Sequence, residues 1–424
     1  MCRFLLEILT ISYICVLTGC HPNNVNETNG IAVIDVVNNL GTYHALPVSK
    51  FVSELEYIPL ETRDDCLIGS IRQLIVTSTH IFVEGNNLCY AFSRDGRFIT
   101  QIGRVGQGPG EYQFLNELSI DKKNQSLYLE TIHTLLEYSW DGIFHKSINK
   151  PKNMNGEPIG EVFFVRDNLF IGHILNLTGK EMYNFLLFDE NGQVFKSFDN
   201  HLKYERAGMF MSNFDTSQRP FKIEQCIYVK EFTNDTLYCL NEQNELIHQF
   251  IFNLGQYAYP KHLKEFLNQS SLGDAVTISV RPDRPMVGTP NYLFFNLRVG
   301  RKTSFPIPKG RVLTGNIFEW EYNDPHGIYD IANKSTQFLD TNPVSRMSGL
   351  INDLDGGLSF WPRYYTSDNE LVDFWQAYEM KEILTEDYFA AHEIKNPQAH
   401  QKLKALLNNL DEEDNPVIVI AKLK

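Results

Sequence analysis

Phe92-Ser93-Arg94-Asp95-Gly96-Arg97-Phe98, Tyr138-Ser139-Trp140-Asp141-Gly142-Ile143-Phe144 and Phe188-Asp189-Glu190-Asn191-Gly192-Gln193-Val194 repeat one pattern, with a looser copy from Leu240 to Leu246. Asp-Gly or Asn-Gly between apolar strands is a strong hairpin signal, because a two-residue type I′ turn needs positive φ at both central positions. Six apolar triplets recur around these turns: Ile81-Phe82-Val83, Leu127-Tyr128-Leu129, Leu169-Phe170-Ile171, Ile227-Tyr228-Val229, Leu293-Phe294-Phe295 and Leu358-Ser359-Phe360. Their middle residues are 46, 42, 58, 66 and 65 positions apart. A unit of about 45 residues carrying several short strands is the length of one propeller blade, a sheet that buries its faces only against its neighbours. The pattern predicts an all-β chain, a six-bladed β-propeller with short helical insertions, one of them near the C-terminus.

Within the first blade the pattern predicts strands near Ile71–Val76, His80–Glu84, Leu88–Ser93 and Phe98–Gly103. The wider spacing of the later triplets marks insertions, including a surface helix at Pro260–Gln269. A second helical stretch, Lys381–Leu410, places Leu403, Leu406, Leu407 and Leu410 at helical spacing, a packing face, and ends in the solvated turn Asp411-Glu412-Glu413-Asp414. Val417–Leu423 reads as a final strand and Ile31–Val37 as a first. One or both are expected to pair into the last blade and close the ring, leaving no exposed edge.

With 424 residues, 43% hydrophobic and 12% aromatic, the composition is that of a folded chain. Thirty-eight Lys and Arg against fifty-two Asp and Glu give a net charge of −14, the wrong sign for gripping phosphate backbones over a wide surface. No nucleic-acid partner is expected.

Residues 1–19 carry Arg3, Glu7 and an apolar run from Ile8 to Leu17, and resemble a secretory signal peptide. Leu17-Thr18-Gly19-Cys20 resembles the bacterial lipobox, in which Cys20 takes the lipid. The predicted organisation is a signal peptide at 1–19, a lipidated tether at 20–30 and the propeller at 31–424. The membrane is then a partner through the lipid anchor. Glu27 is the only acid in residues 21–30, unlike the acidic tethers that resemble surface-export signals, which favours a periplasm-facing position on the outer membrane. Of the remaining cysteines, Cys66, Cys89, Cys226 and Cys239, none forms a Cys-x-x-Cys pair. Cys226 and Cys239 would face each other across a hairpin only if its turn centred between Phe232 and Thr233. Asn234-Asp235 is the better turn pair, so free thiols are expected.

Gly103-Arg104-Val105-Gly106-Gln107-Gly108-Pro109-Gly110-Glu111-Tyr112 lacks the Lys-Ser/Thr ending of a phosphate-binding loop, and no helix start follows it. Glycine at these positions suits a crossing from the outer strand of one blade to the inner strand of the next. Together with Ile58-Pro59-Leu60-Glu61-Thr62, Cys66-Leu67-Ile68-Gly69 and Asn352-Asp353-Leu354-Asp355-Gly356-Gly357-Leu358, this motif resembles the six-bladed β-propeller lipoproteins of Bacteroides-type bacteria, relatives of NHL-repeat propellers. The resemblance spans most of the chain after residue 19. It implies the fold and an envelope location, and no settled biochemical activity.

Propeller geometry puts the Gly-rich crossing at the mouth of the central channel, where Arg104, Gln107 and Glu111 either contact a ligand or hold the loop by pairing Arg104 with Glu111. His133, His173, Arg346, Arg363, Tyr364 and Tyr365 fall in segments assigned to the same face, and arginines with aromatics suit a protein, peptide or glycan. The leading expectation is therefore a non-catalytic binding or scaffold module without a cofactor. The alternative is a calcium-dependent propeller hydrolase or lactonase acting on a small ester. In it Asn116, Glu117, Glu161, Asn213 and Asp353 point to the axis and hold an ion that polarises the carbonyl. No Gly-x-Ser-x-Gly or His-Glu-x-x-His motif occurs in the chain.

Overall fold

A computed structural model describes residues 27–28, 31–176, 179–205, 220–231, 233–269, 272–306, 313–315, 318–320, 325–340 and 349–424. Cys20, Asn213 and Arg346, like the signal sequence, lie outside the described residues.

The chain is a six-bladed β-propeller. Blade one comprises Gln73–Val76, His80–Gly85, Leu88–Ser93 and Phe98–Gln101, and blade two Leu118–Asp121, Ser126–Glu130, Thr134–Ser139 and Phe144–Asn149. Blade three is Gly160–Arg166, Leu169–His173, Tyr183–Asp189 and Val194–Asp199. Blade four is Phe221–Ile223, Cys226–Lys230, Thr236–Leu240 and Leu246–Asn253, and blade five Val280–Gly288, Tyr292–Val299, His326–Asp330 and Ser335–Leu339. Blade six takes Tyr364–Tyr365, Glu370–Trp375 and Val417–Leu423, and its outermost strand is Val52–Pro59 from the other end of the chain.

Blades stack face to face, so their second strands are buried on both sides and read as unbroken apolar runs, which is why the triplets mark them. Ile81, Phe82, Val83, Leu127, Tyr128 and Leu129 are all buried, whereas most of the outer strand Phe144–Asn149 is exposed. One apolar cluster fills each junction: Phe82 with Leu129, Phe170 with Tyr128, Leu187 with Val229, Phe252 with Phe295, Phe294 with Leu371, and Ile418 with Ile81. The last of these closes the ring.

The sixth triplet is a correction. Leu358-Ser359-Phe360 is buried, but it precedes blade six and makes only an isolated bridge, Leu350 to Phe360. The second strand of that blade is Glu370–Trp375. Val417–Leu423 pairs into blade six as expected, with Ile418 opposite Ile58. Ile31–Asp35 does not; it lies parallel to Leu246–Asn253 on the outer edge of blade four, and Tyr43–His44 then lies parallel to Ser335–Leu339 on blade five. The N-terminal segment is thus a belt around blades four and five before it supplies the closing strand.

The Asp-Gly turns also differ from expectation. Only the glycine is left-handed, with φ of 89° at Gly96, 84° at Gly142 and 76° at Gly192, and the register slips beside each turn. That is a type I turn followed by a bulge. Asn244, at φ 61°, takes the glycine's place in the looser copy. Two-residue turns with both residues left-handed occur at Asn86-Asn87 and Asp167-Asn168. The helix expected at 260–269 is present as Leu263–Gln269. The stretch 381–410 is instead three helices, Ala377–Ile383, Glu386–Ala390 and Pro397–Asn409, the last begun by Pro397 and capped by Asn396. Leu403, Leu407 and Leu410 are buried against Leu384, Tyr388 and Phe389, the packing face that the spacing indicated.

Cys226 and Cys239 form a disulfide, against the expectation of free thiols. Tyr228 pairs with Cys239, so the turn centres one position earlier than Asn234-Asp235 would set it. The cysteines become diagonal neighbours with Cα atoms 5.5 Å apart, within reach of a bridge. Cys66 and Cys89 are free and buried.

Candidate functional site

Each blade is four antiparallel strands, so the crossings between blades share one face of the ring with the turns between second and third strands, and the first–second and third–fourth turns lie on the other. Asn87 of the Asn86-Asn87 turn accordingly bonds the crossing through the Gln113 carbonyl at 3.0 Å and the Leu115 backbone at 2.7 Å. The inner strands of all six blades enclose a central channel of about 1030 Å³. Its lining includes Arg72, Glu117, Lys122, Glu161, Lys222, Glu224, Arg363 and Tyr365.

Behind this lining, buried polar residues follow the apolar triplets and anchor the inner strands. Glu84 accepts from Arg72 at 2.7 Å. Glu130 accepts from the Lys150 ammonium at 2.7 Å and from the Val162 backbone of blade three at 3.0 Å. Burial pushes the Glu130 carboxyl above its ordinary range, against the pull of Lys150. Lys230 donates to the carbonyls of Glu231 and Asn234 at 2.9 and 2.5 Å, and burial lowers its ammonium to about 8. Asn296 accepts from the Trp361 indole at 2.8 Å. Asp373 accepts from the Trp361 backbone at 2.9 Å and from Arg363 at 2.8 Å. A buried polar group without such a partner costs about 1–3 kcal/mol, so these bonds hold the wall in register. Four of them, Glu84, Glu130, Lys230 and Asn296, directly follow a triplet, and that position is the sequence signal for the set; Gly172 stands there in blade three, and Asp373 follows Leu371-Val372 in blade six.

Most charges in the channel are committed to the fold. Arg363 is tied to Asp373 and stacks 4.6 Å from the Phe374 ring. Lys123 pairs with Asp167 at 3.4 Å, and Arg166 donates to the blade-four turn through the Glu242 carbonyl at 2.9 Å. Asp121 accepts from its own turn, from the Lys123 backbone at 3.0 Å. Lys122, Lys222 and Glu224 are different. Among the described residues the Lys122 side chain donates only to Ser367, at 3.0 Å, reaching from blade two to blade six. The side chains of Lys222 and Glu224, on blade four, make no hydrogen bond or ion pair among the described residues.

Confinement in the channel holds the Lys122 ammonium below its ordinary pKa; Asp368 opposes that shift and the Lys222 charge adds to it. Burial likewise raises the Tyr365 hydroxyl, and Glu224 adds to the effect. Side chains from blades two, four and six therefore share one channel.

The residues singled out from sequence do not come together as one site. Arg363, Glu117 and Glu161 line the channel, and His173 stands behind Glu161 with Nδ1 3.2 Å from its carboxylate. Arg104, Gln107 and Glu111 are not among the residues that line the channel. Glu111 accepts from Arg104 at 2.5 Å and from the Gly108 backbone at 2.8 Å. The Gly108 bond, and next Arg104, hold its carboxyl below the usual range. Gly110, at φ 72°, would place a Cβ 2.7 Å from the Phe144 ring. The loop packs on the outer strands of blade two.

Asn116 donates weakly to the Thr131 carbonyl at 3.4 Å, and its own carbonyl receives Arg72 at 2.6 Å. Asp353 is remote from the axis: it accepts from Ser49 at 2.5 Å and from Lys395 at 2.6 Å. Burial opposes its ionisation, but the Lys395 and Ser49 bonds outweigh that and hold its carboxyl below the ordinary range. Its neighbour Asp355 accepts from Tyr57 at 3.0 Å and from Asn352 at 2.7 Å. Asn352–Asp355 is thus a clamp joining the belt, the closing strand and the C-terminal helices. Among the described residues no three His, Cys, Asp or Glu side chains are grouped to hold a metal ion. No helix among them is long and apolar enough to cross a membrane.

The crystal structure of a protein described as exported, from Bacteroides fragilis NCTC 9343, has a TM-score of 0.67 with 17% identity over 93% of this chain and 100% of its own. At that identity the likeness shows a shared fold. A member of the DUF4221 family from Bacteroides vulgatus ATCC 8482 is 11% identical over 88% of this chain and 97% of its own, with a TM-score of 0.47. Virginiamycin B lyase from Staphylococcus aureus is 12% identical over 87% and 99%, with a TM-score of 0.37. Both are too distant for any argument about chemistry. No curated protein is detectably similar in sequence. The model of one family, described as a domain of unknown function, matches residues 31–422, and the chain belongs to that family, DUF4934.

Proposed function

We propose that this protein is a lipid-anchored envelope protein, held by Cys20 in the outer membrane and facing the periplasm. Its propeller binds a protein, peptide or glycan in the central channel without chemical turnover. One observation carries the reading: all six inner strands line one channel, and most of its charged groups are fixed by partners in the wall while a few are left over. Such a lining recognises by shape and charge. The exported Bacteroides protein of the same fold supports an envelope address. The ester-hydrolase alternative needs ligands that converge, and Asp353 sits instead in the clamp beside Lys395.

The test is recovery of partners from envelope membranes with the wild-type protein and with Ser367→Trp, an exposed channel-lining position. Loss of the partner with unchanged melting supports the reading, and full retention by Ser367→Trp contradicts it. Anchoring is tested separately: Cys20→Ala should release the protein from membranes, and its continued complete membrane recovery with normal processing would refute the anchor.

A further inference from the structure

Lys122 and Lys222 come from blades two and four into one channel, and neither has a carboxylate within ion-pair distance among the described residues. Two ammonium groups in a confined space repel each other, and an anion between them turns that repulsion into attraction. The acids nearby do not fill this role. Asp167 is paired with Lys123, and Asp121 is bound by its own turn. Asp368 and Glu224 are felt by Lys122 and Tyr365 respectively, without contact. Half-buried rings of Phe163, Phe221 and Tyr365 line the same space.

We propose that Lys122 and Lys222 form an anion-binding point in the channel and that the ligand is an oligosaccharide bearing a carboxylate or sulfate group. This rests on the channel-binding reading above. The two lysines fit one compact anionic group, while aromatic faces pack against the C–H-rich faces of sugar rings and Ser367 meets hydroxyls. A long acidic peptide fits less well, since the net charge of −14 repels a polyanion along its length outside the channel.

Titration calorimetry on the purified full chain in detergent tests this with trigalacturonate, a heparin-derived disaccharide, cellotriose and hexaglutamate. Carboxylate and sulfate sources are distinguished by which of the first two binds. The expected result is at least about tenfold tighter binding of one of them than of cellotriose or hexaglutamate. Lys122→Gln and Lys222→Gln should each weaken it by about fivefold or more without a change in melting, while Lys404→Gln on the C-terminal helix leaves it unchanged. Pairing between charges also requires affinity to fall as salt rises from about 0.05 to 0.5 M. Lysine-dependent preference for hexaglutamate overturns the saccharide assignment. Equal binding of cellotriose, unaffected by the lysine variants, overturns the anion point and leaves channel binding standing. Binding of none of the four probes, with the envelope partner still lost in Ser367→Trp, overturns the ligand class alone. Retention of that partner by Ser367→Trp defeats the channel reading itself.

Discussion

The Gly-rich crossing between blades one and two and the wall of the central channel are opposites in visibility and in use. Ten consecutive residues, Gly103 to Tyr112, announce the crossing, yet its Arg104 and Glu111 are bound to each other and to the loop. The channel lysines without a carboxylate partner among the described residues, Lys122 and Lys222, come from different blades and carry no local motif. A conspicuous motif here reports a backbone requirement, and a binding surface is made by convergence. Stability should therefore be sensitive at the crossing and behind the wall, and binding should be sensitive in the channel.

The largest effect is expected behind the wall. Lys150→Met leaves Glu130 buried without its ammonium, and such a loss costs about 3–5 kcal/mol. Denaturant unfolding measures it; a change below about 1 kcal/mol would mean that the pair does not support the wall. Next comes Gly110→Ala, which combines a left-handed backbone with a Cβ against Phe144, for about 2–3 kcal/mol. Gly108 has no positive φ, and its Cβ would meet only the Glu111 carboxylate, at 3.0 Å, so Gly108→Ala should cost clearly less. Equal losses at the two glycines would break this account of the crossing. Reducing the Cys226–Cys239 bridge, which closes a separation of 13 residues beneath Lys222 and Glu224, should cost up to about 3 kcal/mol.

The clamp supplies a contrast in pH. Asp353 has its carboxyl held below the ordinary value, so the folded state binds fewer protons there than the unfolded chain. Its stabilisation is present above the ordinary carboxylate pKa and is lost as pH falls through the lowered one. Asp353→Asn should therefore flatten the acid limb of the stability curve below about pH 4. An unchanged acid limb would remove Asp353 from the closure of the ring.

How much of this was legible follows from which forces are local. Five triplets located second strands because strands buried on both faces are continuous apolar runs. Leu358-Ser359-Phe360 misled because a buried extended segment has the same composition whether or not it joins a sheet. Closure by Val52–Pro59 against Val417–Leu423 joins opposite ends of the chain, and no local pattern records such a pairing. The disulfide turns on one position: a turn centred at Thr233-Asn234 and not at Asn234-Asp235 re-registers every cross-strand pair of the hairpin and brings the cysteines within reach. The buried polar residues after the triplets were visible as a position, but their partners lie on other strands or in neighbouring blades.

A small expected change in stability, at Glu111, set beside none at Ser367, gives the most direct measurement of the division between support and binding. Melting temperature and capture of the envelope partner are measured together for Glu111→Gln and Ser367→Trp. The account predicts a small drop in melting with full capture for Glu111→Gln, and unchanged melting with lost capture for Ser367→Trp. Normal melting with lost capture for Glu111→Gln, together with full capture by Ser367→Trp, would contradict it and make the Gly-rich crossing the functional site.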